Sequence, residues 1–267
     1  MTHIPCWIIS LNPDADGPRA LSQALTAQNI THSFVPAVDG RKGIPPLQGR
    51  EYIDARKSLL RHQRLRSGSE IGCYLAHYRA IQRAYDSGLE RICIIEDDVM
   101  PEPDFAAVLA ALATQPAAIE MVRLMALRIR KRKVLGLLAD TSHHLVRPER
   151  GWCGTQGYVL NRSGMQKVLD KGWSIYEPID KFFDHFWEYD LRLYGVEPHV
   201  IYELPSPSSI KKQSDIPARI PLLLKLLAPL HKLAFSSSRH RYLKRHANEF
   251  YPTEWPEKRM GRTERMK

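Results

Sequence analysis

Cysteine is scarce, and no two cysteines stand close enough to chelate a metal. Cys6, Cys73, Cys93 and Cys153 are far apart and form no C-x-x-C pair. That excludes a zinc site built on paired thiolates and a disulfide scaffold, and it suits a reducing cytosol. No G-x-G-x-x-G occurs, so a Rossmann dinucleotide site is not expected. No stretch is long and apolar enough to span a bilayer. The first apolar run, residues 4–11, stops at Asn12-Pro13-Asp14, and is too short for a signal peptide. Acids are in the minority, 29 Asp or Glu against 39 Lys or Arg, which leaves a formal charge of +10. A balance of that sign fits nucleic acid, anionic lipid or a phosphorylated substrate. No nucleic-acid motif accompanies it.

The acids that are present gather at one place. Residues 92–95, Ile-Cys-Ile-Ile, form an apolar, largely β-branched run that reads as a strand buried on both faces of a parallel sheet. Glu96, Asp97 and Asp98 follow at once. Adjacent like charges destabilise one another unless a cation neutralises them. Ligands of open α/β sheets bind at the carboxyl ends of strands. The triplet therefore reads as a hard-metal site holding a phosphate-bearing substrate, with a solvated acidic turn as the plainer alternative.

Around it the chain alternates strands and helices. Residues 6–11 read as a strand, 12–18 as a turn-rich loop, 19–28 as a helix and 32–38 as a second strand closed by Asp39-Gly40. An acid at the end of such a second strand can meet a ribose or base, and it can equally be a plain turn. Residues 41–66 are basic and read as a loop, a short helix and a solvated charged face. Ser67 and Glu70 form a capping box for a helix over about 71–87, with Gly88 at its C-terminal end. That helix carries a lone His77. The basic run 128–133 reads as a phosphate reader or a solvated hairpin tip. Glycine-punctuated residues 151–157 lead into a strand, where a backbone without side chains can approach a ligand closely. Aromatics at 182–189 interleave with acids, as a sugar-stacking face or a core helix with its acids outward.

Several stretches match one family in chain order. Glu70-Ile71-Gly72-Cys73-Tyr74-Leu75-Ala76-His77 resembles E-x-G-C-x-x-S-H of family 25 glycosyltransferases, the lipopolysaccharide and lipooligosaccharide type. Ile94-Ile95-Glu96-Asp97-Asp98-Val99 is similar to its L-E-D-D-V, and Ala37-Val38-Asp39-Gly40 to its A-V-D-G. Gly154-Thr155-x-Gly157-Tyr158 and Pro178-Ile179-Asp180 resemble its later G-T-x-G-Y and P-I-D. The resemblance spans roughly residues 5–216, with Ser10 in place of a common Asn and Ala76 in place of Ser. It implies a GT-A-like α/β fold whose mixed, mostly parallel sheet is flanked by helices. It also implies a UDP-sugar donor (UDP-galactose or UDP-glucose), Mn²⁺ or Mg²⁺, inversion at the anomeric carbon, and a saccharide or lipid-linked saccharide acceptor. Donor contacts are expected at Ser10, Leu11, Arg19, Asp39, His77, Glu96, Asp97, Gly154 and Thr155. Asp98 and Glu96 are the expected metal ligands. Asp180 is the expected base, with Asp184 and Glu177 in reserve.

Residues 1–215 read as the transferase domain and 216–267 as a basic, partly apolar helical extension. Residues 211–267 hold fourteen Lys or Arg against five Asp or Glu. Leucines at 222–230, interrupted by Lys225 and Pro229, could only lie in a membrane interface or pack on the domain. The expected location is the cytoplasm, peripheral to the inner membrane. Two other classes fit the composition: a nucleotidyltransferase and a non-enzymatic nucleic-acid-binding protein.

Overall fold

The structure, a computed structural model, describes residues 3–128, 130–204 and 220–255. In chain order these form β1 (Cys6–Ser10), α1 (Asp16–Ala27), β2 (His32–Pro36), β3 (Tyr52–Ile53), α2 (Ala55–His62), α3 (Gly68–Asp86), β4 (Arg91–Glu96), β5 (Val99–Pro101) and α4 (Phe105–Ala113). There follow β6 (Met121–Arg123), β7 (Arg132–Leu137), β8 (His144–Pro148), β9 (Gly157–Asn161), α5 (Arg162–Gly172) and β10 (Ser174–Ile175). The last elements are α6 (Ile179–Asp184), a 3-10 turn (Phe186–Glu188), β11 (Leu193–Glu197), β12 (Ile201–Glu203), α7 (Leu222–Arg245) and α8 (Ala247–Phe250). The boundary expected at 215/216 lies outside the described residues.

Eight strands form one mixed sheet in the order β2-β1-β4-β9-β6-β11-β8-β7. Six point one way, and β8 and β9 run against them. The sheet is thus mostly parallel by direction, with one correction at its centre. Strand β4 is parallel to β1 but antiparallel to β9. Alternation along β4 explains why it reads as continuously apolar. Ile92 and Ile94 enter one core cluster, and Cys93 and Ile95 enter the other. Helices α3, α5 and α6 cover the first face, and α1 and α4 the second. Fully burying one such aliphatic side chain contributes about 1.5–3 kcal/mol, which makes β4 a rigid base for the acids at its end.

Helix α3 begins where its sequence says it should. Ser67 Oγ accepts from Glu70 N at 3.2 Å, and Glu70 Oε2 accepts from Ser67 N at 3.0 Å. Its first two turns press against the loop after β2. A Cβ on Gly40 would lie 1.8 Å from the Gly68 carbonyl oxygen, and one on Gly72 would lie 2.4 Å from that of Val38. Backbone meets backbone, so neither side can yield by a rotamer change. Gly40→Ala is expected to cost about 3 kcal/mol or more, read as a lower denaturant midpoint with an unchanged slope.

The basic stretch 41–66 is not simply a solvated face. Arg66 is buried, Arg64 forks onto Glu70 at 2.9 and 2.7 Å, and Arg61 lies within a buried ion cluster. In the run 128–133, Arg132 is also buried, 2.9 Å from Glu197. These arginines balance interior carboxylates, so the run is neither an open phosphate reader nor a solvated tip at that position. Phe182, Phe183 and Phe186 belong to the core, not to a sugar-stacking face, and the interleaved Asp184 is buried too. In the C-terminal extension, Tyr242, Leu243 and Phe250 join the same core cluster. Among the described residues no helix is long and apolar enough to cross a membrane.

Candidate active site

Register sets the first contacts. Strand β1 pairs with β4 so that Ile9 stands opposite Glu96, which places Ser10 beside the acidic turn. The Ser10 hydroxyl donates to Asp97 Oδ2 and accepts from Asn12 N at 3.1 Å. Burial pushes the Asp97 carboxyl up, against the opposing effect of the Ser10 bond.

Glu96 is held from two sides. Thr155 Oγ1 donates to its Oε1. His77 Nε2 lies 3.2 Å from the same oxygen, and the other ring nitrogen lies 2.9 Å from the Tyr158 hydroxyl. The tautomer consistent with both contacts has Tyr158 donating to Nδ1 and Nε2–H donating to Glu96. Burial works against ionisation of Glu96, but the bonds from His77 and Thr155 outweigh it and hold the carboxyl below its usual range. Glu96 is therefore an anion fixed in place.

Asp98 is the opposite case. Its Oδ1 is buried without a hydrogen-bond partner. Burial, with the charges of Glu96, Glu203 and Asp97, pushes its pKa up to about 7. Glu203, at the end of β12, faces Val99 across the β12–β5 pair. An orphaned carboxylate oxygen among other carboxylates is a donor set suited to a hard cation. Glu96, His77 and Cys73 also place three ligand atoms within 4.8 Å of one another, a softer set that shares Glu96.

The fourth wall comes from residues 151–157 and α6. Gly154 has φ +74, a left-handed conformation that glycine adopts without strain. Its N–H donates to Asp180 Oδ2 at 3.2 Å, and Asp180 Oδ1 accepts from Lys181 N at 2.8 Å. Asp180, Asp98 and Glu96 all raise the pKa of Cys73, behind its burial as the largest cause. The two reserve bases are otherwise engaged. Glu177 is buried between Arg61, His62 and His185 at 3.4, 3.3 and 3.0 Å. Burial opposes its ionisation, yet the two histidines and Arg61 hold the carboxyl far below its usual range, which makes it a poor base. Asp184 is buried and accepts from Cys153 N at 3.1 Å, with Arg123 and Lys181 each at 3.7 Å. It fixes the 151–157 loop.

The expected donor residues thus divide. Ser10 bonds Asp97, His77 and Thr155 bond Glu96, and Gly154 reaches Asp180. Leu11 and Arg19 lie on the loop and helix after β1, both exposed, with Arg19 3.7 Å from Asp16. Asp39 is gripped by Arg41 at 2.9 and 2.7 Å, and those bonds lower its pKa to about 2. Beside it opens a cleft of about 440 Å³ walled by Val38, Pro45, Pro46, Gln48, Arg79 and Arg83. Sequence reasoning overlooked Arg123 and Glu203, and gave Tyr158 no role although its motif was in view. Each ends or enters a strand, as Glu96 does, and a polar residue closing an apolar run was the available signal.

Residues 3–183 match the family described as glycosyltransferase family 25 (LPS biosynthesis protein). The chain is 28% identical over 222 residues to procollagen galactosyltransferase 1 of Danio rerio, covering 73% of this chain and 35% of that one. It is 26% identical over 223 residues to procollagen galactosyltransferase 2 of Homo sapiens, covering 73% and 34%. A probable inactive glycosyltransferase 25 family member 3 of Bos taurus is 26% identical over 212 residues, covering 72% and 35%. The chain spans about a third of the length of the curated relatives it matches. A solved glycosyltransferase involved in glycosylation of the major capsid of PBCV-1 aligns at TM-score 0.39 and 8% identity, over 79% of this chain and 96% of that one.

Proposed function

The chain belongs to glycosyltransferase family 25, and from that premise we propose that it transfers galactose or glucose from a UDP-sugar to a saccharide with inversion. The observation that carries the reading is the orphaned carboxylate oxygen of Asp98, buried at the end of β4 and crowded by the charges of Glu96, Glu203 and Asp97.

Asp98 and Glu96 are the residues that would hold Mn²⁺ or Mg²⁺, which supplies positive charge against the leaving diphosphate when bound. Asp97, oriented by Ser10, and the backbone of 154–155 face the donor. Asp180 takes the proton of the acceptor hydroxyl as that oxygen bonds to the anomeric carbon. The bond from that carbon to the diphosphate breaks on the opposite face, and UDP leaves with its electron pair. Backbone N–H groups of Gly154 and Lys181 orient Asp180, a positioning role distinct from proton transfer. We place the acceptor among lipid-linked saccharides of cell-surface glycan synthesis, met at the cytoplasmic face of the inner membrane, with no nucleic-acid partner.

A panel of nucleotide sugars tests the donor assignment by thermal shift. UDP-galactose or UDP-glucose should raise the melting temperature, and more so with Mn²⁺ than with EDTA. A panel in which only non-uridine nucleotides stabilise the protein overturns it.

A further inference from the structure

Helix α7 carries two unlike faces. Leu224 is buried and Phe235 packs toward the core, stacking under Arg61 at 3.9 Å and meeting His185 edge-on at 4.7 Å. The opposite side turns leucines to solvent. Leu222, Leu226, Leu230 and Leu233 are 64–72% exposed and follow one another at helical spacing, with Leu223 and Leu227 alongside. A run of exposed leucines of this kind marks an interaction surface. One, two and three turns on, the same stripe continues through Ser237 to Arg241 and Lys244, the last two exposed, with Arg245 beside them. The helix has no acidic residue, and residues 256–267 add five more Lys or Arg.

We propose that this face of α7 docks on a bilayer surface bearing anionic headgroups. The leucines would sit among the acyl chains near the headgroups, and Arg241, Lys244 and Arg245 would meet the phosphates. A second copy of the chain is a poorer match, because the helix offers no carboxylate to meet those cations. Docking would also orient the proposed reaction, a step that rests on the reading above. Arg61 and His185, which Phe235 touches, hold Glu177, three residues before Asp180. The acceptor side would then face the lipid.

Vesicle sedimentation of the full chain tests the docking without any need for turnover. The protein should pellet with vesicles containing phosphatidylglycerol at low salt, release at high salt, and stay in solution with phosphatidylcholine alone. Leu226→Asp with Leu230→Asp should lower the bound fraction at least ~10-fold, and Arg241→Glu with Lys244→Glu at least ~10-fold. Hydrolysis of a UDP-sugar in solution should be unchanged in both, which separates this idea from the catalytic one. Protein that stays in the supernatant at low salt overturns the proposal. So does a dimer seen by light scattering that the leucine substitutions dissociate, since the face would then belong to a second copy.

Discussion

Asp98→Asn should reduce hexosyl transfer by at least ~10³-fold, the loss expected when several kcal/mol of charge stabilisation disappears from the transition state. The metal-free variant should nevertheless be no less stable than the parent near neutral pH. The parent's Asp98 acid is held at about 7 against an ordinary 3.8, by burial first and then by Glu96, Glu203 and Asp97. Folding therefore favours its protonated form. The stability linked to this group is complete below the ordinary carboxylate range and is lost as pH climbs from about 4 to about 7. Asparagine stays neutral throughout. Its melting temperature should exceed the parent's at pH 8 and match it at pH 4, both in EDTA. A variant that melts lower at pH 8 would mean that Asp98 makes a stabilising contact and is no vacant ligand.

The second large effect concerns Asp180. Asp180→Asn should lower kcat by ~10²–10⁴-fold, the usual contribution of a general base, and leave UDP affinity within a few fold. Asparagine keeps one acceptor oxygen for either Gly154 N or Lys181 N, and the bond from Cys153 N to Asp184 still ties down the 151–157 loop, so the loop should keep its place. Calorimetric titration of UDP into the variant separates the two roles. Lost affinity with a preserved rate would make Asp180 a donor contact. The alternative carboxylates are poorly placed to replace it, Glu177 being locked among cations and Asp184 being tied to the loop.

What the sequence could convey was whatever depended on near neighbours. Strand β4, the Ser67–Glu70 box and the turn of acids were legible because a few consecutive residues determine each of them. The direction of β9 was not, because an apolar strand carries no mark of its partner's polarity. Arg61 and Arg132 looked like solvent-facing charge for the same reason: their carboxylate partners Glu177 and Glu197 lie elsewhere in the chain. The aromatics at 182–187 could serve a sugar or a core, and the position of α6 beneath α3 decided for the core. At the site, chain order marked Glu96, Asp97, Asp98 and Asp180, whereas Arg123 and Glu203 had only their places at the ends of apolar runs to mark them, and the fold brings their charges to bear on Glu96 and Asp98.

Donor hydrolysis with water standing in for the acceptor tests the central claim most directly. UDP release from UDP-galactose and UDP-glucose should be measured in EDTA and again after Mn²⁺ is restored, for the parent and for Asp98→Asn. The account predicts UDP release by the parent that EDTA abolishes and Mn²⁺ recovers, with no recovery in the variant. Undiminished release in EDTA, or pyrophosphate in place of UDP, would contradict it.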